Sequence, residues 1–164
     1  MNEIAVTAYR SPLGWIRLEA TDYGLRQVTF VEGPPADADP GTSHAILRQG
    51  LAALREYFAG NPVPKVPLDP EGTAFQQMVW DTLLEIPLGK TWSYKKVAER
   101  LGDHKKVRAV GLANGKNPIA ILVPCHRVIG ANGQLVGYAG GLDRKKWLLQ
   151  HEGAPIPAEQ MSLF

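Results

Sequence analysis

TWSYKKVAERLGDHKKVRAVGLANGKN, residues 91–117, decides how the second half of this chain folds. Two short helical stretches, TWSYKKVAERLG and HKKVRAVGLANGKN, flank a gap at Asp103, and lysine and arginine crowd the second. Two short helices about a tight turn, the second one basic, give the outline of a helix-turn-helix. Upstream, Thr73 is placed to cap a helix over TAFQQMVWDTLLEIP, closed near Pro87 and Gly89. Downstream, ANG at 131–133 marks a turn or hairpin, and GGLDRKKWLLQHEG gives a last helix with Asp143 near its start and Gly153 past its end.

The first third reads differently. EIAVTAYR, GWIRLEAT and LRQVTFVEG alternate apolar with polar residues and are broken by SPLG and DYG, which predicts an antiparallel meander. After the loop GPPADADPGTS, the residues Ile46, Leu47, Leu51, Leu54, Tyr57 and Phe58 recur at helical spacing. The expected class is therefore α+β. Residues 1–60 form a small sheet-and-helix domain, the proline-rich 61–72 an extended linker, 73–153 a mostly helical second domain, and 154–164 a flexible tail.

A hydrophobic content of 45% and a charged content of 21% suit a soluble globular protein. No apolar run reaches membrane-spanning length, and MNEIAVTAYR lacks the basic and apolar regions of a signal peptide. A single cysteine excludes an internal disulfide framework and a thiolate-rich zinc site, so the expectation is a cytoplasmic, reducing environment with the thiol free and no membrane partner. The net charge of +2 hides an asymmetry: residues 1–86 carry 6 Lys/Arg against 11 Asp/Glu, residues 87–164 carry 12 against 5. A basic second half points to a polyanion, although a solvated basic surface would look the same.

The cysteine lies in VPCHRVIG, residues 123–130, directly before a histidine and an arginine. A thiol attacks as thiolate, which a nearby imidazole can generate by taking the proton. In a strand, Cys125 and His126 would face opposite ways, so a bridging water is the plausible link. A cysteine beside the apolar run IAILV also packs well as a small hydrophobe, which leaves a purely structural role open.

The surrounding stretches settle the direction. RAVGLANGK, NPIAILVPCHRVIG and GYAGGLDRKKWLLQHEG together closely resemble the O6-alkylguanine-DNA alkyltransferase family, the methylated-DNA–protein-cysteine methyltransferases, over residues 73–153. The resemblance implies a ribonuclease H-like first domain and a winged helix-turn-helix-like second one. It implies direct reversal of damage: the alkyl group of O6-alkylguanine in double-stranded DNA passes irreversibly to Cys125, once per chain and without cofactor or metal, O4-alkylthymine being a further substrate. By the same resemblance His126 takes the thiol proton through a water, Glu152 orients the histidine, and Tyr94 helps the departing base. Arg108 fills the space vacated by the flipped nucleotide, since a base inside a duplex must be extruded for such chemistry. Ala109, Gly111 and Ala113 keep the recognition helix slim enough for the minor groove. Asn117 is the hinge before the cysteine segment, and Arg127 steadies that segment or meets phosphate. Val128, Tyr138, Ala139 and Ala120 line the base pocket. Vertebrate members carry proline at the position of Ala120 and serine at that of Ala139. Loss of that proline predicts weak reaction with free O6-benzylguanine relative to methylated duplex, and a rate equal to the vertebrate protein's would contradict this.

The tail ends QMSLF, which resembles the short peptide that binds the bacterial DNA polymerase sliding clamp, with Gln160, Leu163 and Phe164 as the contacts. A frayed terminus is the ordinary alternative. The chain is expected to act as a monomer. Two rival functions remain at this level: a DNA-binding regulator whose cysteine senses oxidants or electrophiles, and a Cys-His hydrolase. The fate of the thiol separates them, being a stable thioether, a reversible oxidation or a transient acyl adduct.

Overall fold

Alternating apolar residues in three runs become three antiparallel strands, β1 (Ala5–Ser11), β2 (Gly14–Ala20) and β3 (Leu25–Val31), in the order β1-β2-β3. The computed structural model describes residues 4–133 and 135–156. Its chain divides into two units, the first built from residues 1–71 with 118–120 and the second from the remainder.

In the first unit, α1 (Ala45–Ala59) packs on the sheet, burying Leu47, Ala53, Leu54 and Tyr57 against Ile16, Leu18, Leu25 and Val28. Gly50 permits the close approach, because a Cβ there would lie 2.9 Å from Leu18 Cδ2. The proline-rich stretch, expected as an extended linker, pairs with β3 near its end. Leu25 N–H donates to Pro67 O at 2.9 Å, and Asp69 N–H donates to Leu25 O at 2.7 Å. Residues 118–120 arrive from far along the chain and pair further up the same strand, Val28 N–H to Pro118 O at 2.9 Å and Ala120 N–H to Val28 O at 2.8 Å. These two pieces cover a strand edge that would otherwise present open donors and acceptors.

The second unit opens with a capping box: Gln76 N–H donates to Thr73 Oγ1 at 3.1 Å, and Thr73 N–H donates to Gln76 Oε1 at 2.9 Å. It starts α2 (Ala74–Leu83). Then come β4 (Trp92–Ser93) and α3 (Tyr94–Arg100), capped by Ser93, and a 3₁₀ turn over His104–Lys106 capped by Asp103. That turn leads into α4 (Val107–Gly115). β5 (Val128–Ile129) runs parallel to β4, and α5 (Leu142–His151) closes the unit. Val79, Leu83, Val97, Val110 and Leu148 are buried in it, and Trp80 Nε1 donates to Ala113 O at 2.9 Å, tying α2 to α4. The α+β class expected from the sequence is the one observed, with one small antiparallel sheet and mostly helices after it.

Candidate active site

Cys125 opens a single 3₁₀ turn, Cys125–Arg127, entered through Pro124. The strand geometry considered for this segment does not hold: Arg127 N–H bonds Pro124 O at 3.0 Å, and only Val128–Ile129 is extended. Just upstream, Ile121 has a φ of 71°, the single left-handed residue other than glycine among the described residues. For a β-branched side chain this conformation stores strain, of order 1–3 kcal/mol.

Two asparagines fasten the cysteine segment. Asn117 Nδ2 donates to Val123 O at 2.9 Å, and Asn114 Nδ2 reaches Cys125 O at 3.4 Å. The Cys125 thiol is buried, and burial pushes its pKa up. A hydrogen bond from the Asn117 side chain and the charge of Lys145 pull it back down.

His126 and Glu152 meet at the heart of the unit, Nε2 to Oε2 at 2.6 Å, both side chains fully buried. Burial pushes the Glu152 carboxyl up, but the bonds from His126 and Arg127 outweigh it and hold its pKa at about 2. The carboxylate can therefore only accept, which places the proton of the imidazole on Nε2. Burial also lowers the His126 pKa despite Glu152, so the ring is held neutral. Its Nδ1, a basic lone pair in this tautomer, has no hydrogen-bond partner among the described residues.

Arg127 donates from Nε to Glu152 Oε1 at 2.7 Å and from a terminal nitrogen to Ile86 O at 2.8 Å, with its side chain 12% exposed. Of the two roles expected for it, steadying the segment is what this geometry provides. Glu152, at the C-cap of α5, escapes its unfavourable place at the helix end by pairing with these two residues.

Sequence reasoning passed over Lys145. It is fully buried, and its ammonium donates to Val128 O and Val136 O at 2.7 Å each and lies 3.4 Å from Gly137 O. Burial lowers its pKa to about 8, while the nearby Cys125 thiolate works to raise it. A signal was present: Lys145, Leu148, Leu149 and Glu152 follow one stripe of α5, so this lysine sits on the inward face.

Tyr138 stands edge-on to His126, ring centroids 6.4 Å apart, its buried hydroxyl without a partner among the described residues and its pKa raised well above the ordinary value by burial. Tyr94, the first residue of α3, is half-buried, with its hydroxyl 3.5 Å from Val136 O. Burial, then the Cys125 charge, raise its pKa, so both phenols keep their protons as donors. Gly111 faces the Tyr94 ring, where a Cβ would lie 3.8 Å away. Val128 is buried beside the Lys145 ammonium, and Ala139 is exposed.

Along α4, Arg108 is exposed and Ala109 partly so. Ala113, expected with Ala109 and Gly111 to keep this helix slim for the groove, lies on its inner face: it is 3% exposed, and its carbonyl accepts from Trp80. Ala120 belongs to the segment paired with β3 in the first unit. Gln160, Leu163 and Phe164 lie outside the described residues. Among the described residues no group of His, Cys, Asp and Glu forms a metal-ligating cluster, and no helix is long and apolar enough to cross a membrane.

Comparison with known proteins gives a consistent set of matches. Residues 74–154 match the model of the 6-O-methylguanine DNA methyltransferase DNA binding domain. A methylated-DNA–protein-cysteine methyltransferase of Methanosarcina acetivorans is 48% identical over 150 residues, 89% of this chain and 96% of that protein. One from Mycobacterium leprae is 56% identical over 145 residues, 87% of this chain and 88% of its own. Among solved structures, Mycobacterium tuberculosis OGT in complex with DNA superimposes with a TM-score of 0.83 at 42% identity, covering 98% of this chain and 99% of that one.

Proposed function

This chain belongs to the methylated-DNA–protein-cysteine methyltransferase family, and from that premise we propose that it repairs O6-alkylguanine in duplex DNA by moving the alkyl group onto Cys125. The observation that carries the assignment of roles is the buried His126–Glu152 pair, 2.6 Å apart, next in sequence to the chain's one cysteine.

In this reading the thiol proton passes through one bridging water to Nδ1 of His126, and Glu152 stabilises the imidazolium that forms. The Cys125 sulfur attacks the alkyl carbon in line, a C–S bond replaces the C–O bond, and the electron pair of the latter leaves with the guanine oxygen. Tyr94, still carrying its proton, donates to the departing base. Lys145 shortens the thiolate's climb in pKa and fixes the Val128 carbonyl, which with main-chain groups near Cys125 and Ala139 reads the guanine edge. Tyr138 walls the pocket and Asn117 sets the hinge. A dialkyl thioether is a poor leaving group, so one event consumes the protein.

The same reading has α4 docked in the minor groove with Arg108 filling the gap left by an extruded nucleotide. It includes O4-alkylthymine as a further substrate, a ribonuclease H-like first domain, a winged helix-turn-helix-like second domain, and a cytoplasmic monomer. It also includes clamp binding through Gln160, Leu163 and Phe164. Deleting residues 160–164 should abolish capture by the sliding clamp and leave repair of free oligonucleotides intact; unchanged capture would remove this element.

Intact-protein mass and peptide mapping after mixing with duplex carrying one O6-methylguanine test the core of the proposal. The expected result is a stoichiometric gain of one methylene on Cys125 without turnover. An unchanged mass with retained DNA binding would favour the sensing regulator, and turnover without an adduct the hydrolase.

A further inference from the structure

The outward stripe of α4 carries a residue that none of the roles above uses. Residues 108, 112 and 115 lie within one narrow arc of a helix, given its 3.6-residue turn. Arg108 and Gly115 are exposed there, and Leu112 between them is 68% exposed. The opposite face is spoken for: Val110, Ala113 and Asn114 are buried, with Trp80 bonded to Ala113 O and Asn114 reaching Cys125 O. Gly111 is taken up against Tyr94. The large apolar side chain therefore stands next to the helix's arginine, on a face otherwise made of small and cationic residues, with Lys116 exposed at the end of the same helix.

Building on the DNA-docking reading, we infer that Leu112 is an apolar wedge that enters the minor groove together with Arg108. The groove walls are deoxyribose carbons and its floor is the edge of stacked bases, so an aliphatic side chain finds apolar surface there. Leucine is among the side chains used to prise a base step apart. The arginine and lysine flanking it supply attraction to phosphate, and the half of the chain that holds α4 has 12 basic against 5 acidic residues. Leu112 loses exposed apolar area on docking, a gain independent of salt, whereas the contribution of the cations falls as salt rises. The wedge and the cations are thus separable by measurement.

The experiment is fluorescence anisotropy on an unmodified duplex at several salt concentrations, with Leu112→Ala and Leu112→Met, together with single-turnover methyl transfer at saturating O6-methylguanine duplex. Alanine is at least as good a helix former as leucine, so L112A does not weaken α4 itself. L112A should raise Kd by about tenfold at every salt concentration, leave the slope of log Kd against log salt unchanged, and slow transfer at saturation. L112M, which keeps an apolar reach of similar length, should bind like the parent. An L112A variant with the parent's Kd, or one whose loss comes with an altered salt slope, overturns the wedge while a methylated Cys125 keeps the family reading intact. A parent chain that neither binds duplex nor gains a methyl group overturns both.

Discussion

Glu152 concentrates much of the site's electrostatics in one carboxylate. Its pKa lies at about 2, against an ordinary 4.5, so its pairing stabilises the fold fully above about pH 4.5 and loses that contribution as pH falls towards 2. The depression corresponds to roughly 3 kcal/mol at neutral pH. Glu152→Gln should therefore lower stability at neutral pH and flatten the loss between pH 5 and 2, measured by urea unfolding across that range. It should also slow methyl transfer, because a neutral amide stabilises the imidazolium less well. Lys145 makes a second prediction: removing a cation near the thiol disfavours the thiolate. Lys145→Met should shift the pH-rate profile of Cys125 alkylation upwards and cut the neutral rate by about tenfold or more. At this scale Cys125, His126, Glu152 and Tyr94 were singled out by the specificity of their sequence neighbours, and the structure joins His126 to Glu152 at 2.6 Å. Lys145 was not picked out, since a lysine in RKKW reads as solvated until the stripe shared with Leu148 and Leu149 is drawn. Nothing local in the sequence announces Ile86 O as a partner of Arg127 or the Trp80 indole as a partner of the Ala113 carbonyl.

Elements were read more securely than contacts. The meander, the three longer helices and the cap at Thr73 follow from alternation, periodicity and a short polar residue at a helix start, whereas Asp103, read only as a gap, caps the 3₁₀ turn that follows it. The cysteine segment was not read as a 3₁₀ turn, because its apolar run suits a strand equally well and the geometry is imposed by Asn117, Asn114 and Glu152 from elsewhere. The start of α2 is the element most open to test. Thr73→Ala removes one half of the capping box and should cost about 1 kcal/mol, seen as a lower Tm. Gly72→Ala should cost considerably more, since its Cβ would fall 2.4 Å from the Trp80 ring and displace the indole from Ala113 O. Equal Tm values for the two variants would show that the indole gives way freely.

At the scale of the molecule, the proline-rich 61–72 was expected to link a domain of residues 1–60 to one of residues 73–153, whereas the first unit of the structure takes in residues 61–71 as well as 118–120. The excursion at 118–120 was not legible in the sequence, because three residues pairing with β3 across about ninety positions leave no local signature. It predicts that residues 73–164 expressed alone lose more than a dispensable domain. Pro118 and Ala120 would lack their partner Val28, freeing the stretch between Asn117 and the strained Ile121. The isolated fragment should transfer methyl groups more slowly at saturating DNA, and a full-length rate in that fragment would contradict the argument.

The same excursion bears on the order in which the chain is made. A ribosome delivers β1, β2, β3 and α1 before residue 118 exists, so the edge of β3 can be in place as a template when residues 118–120 emerge, and Cys125 follows five residues later. A circular permutant that begins near residue 73 would reverse this sequence of events. It would synthesise its reactive thiol before the strand that positions the approach to it, leaving a period in which the protein holds a cysteine but not yet its setting.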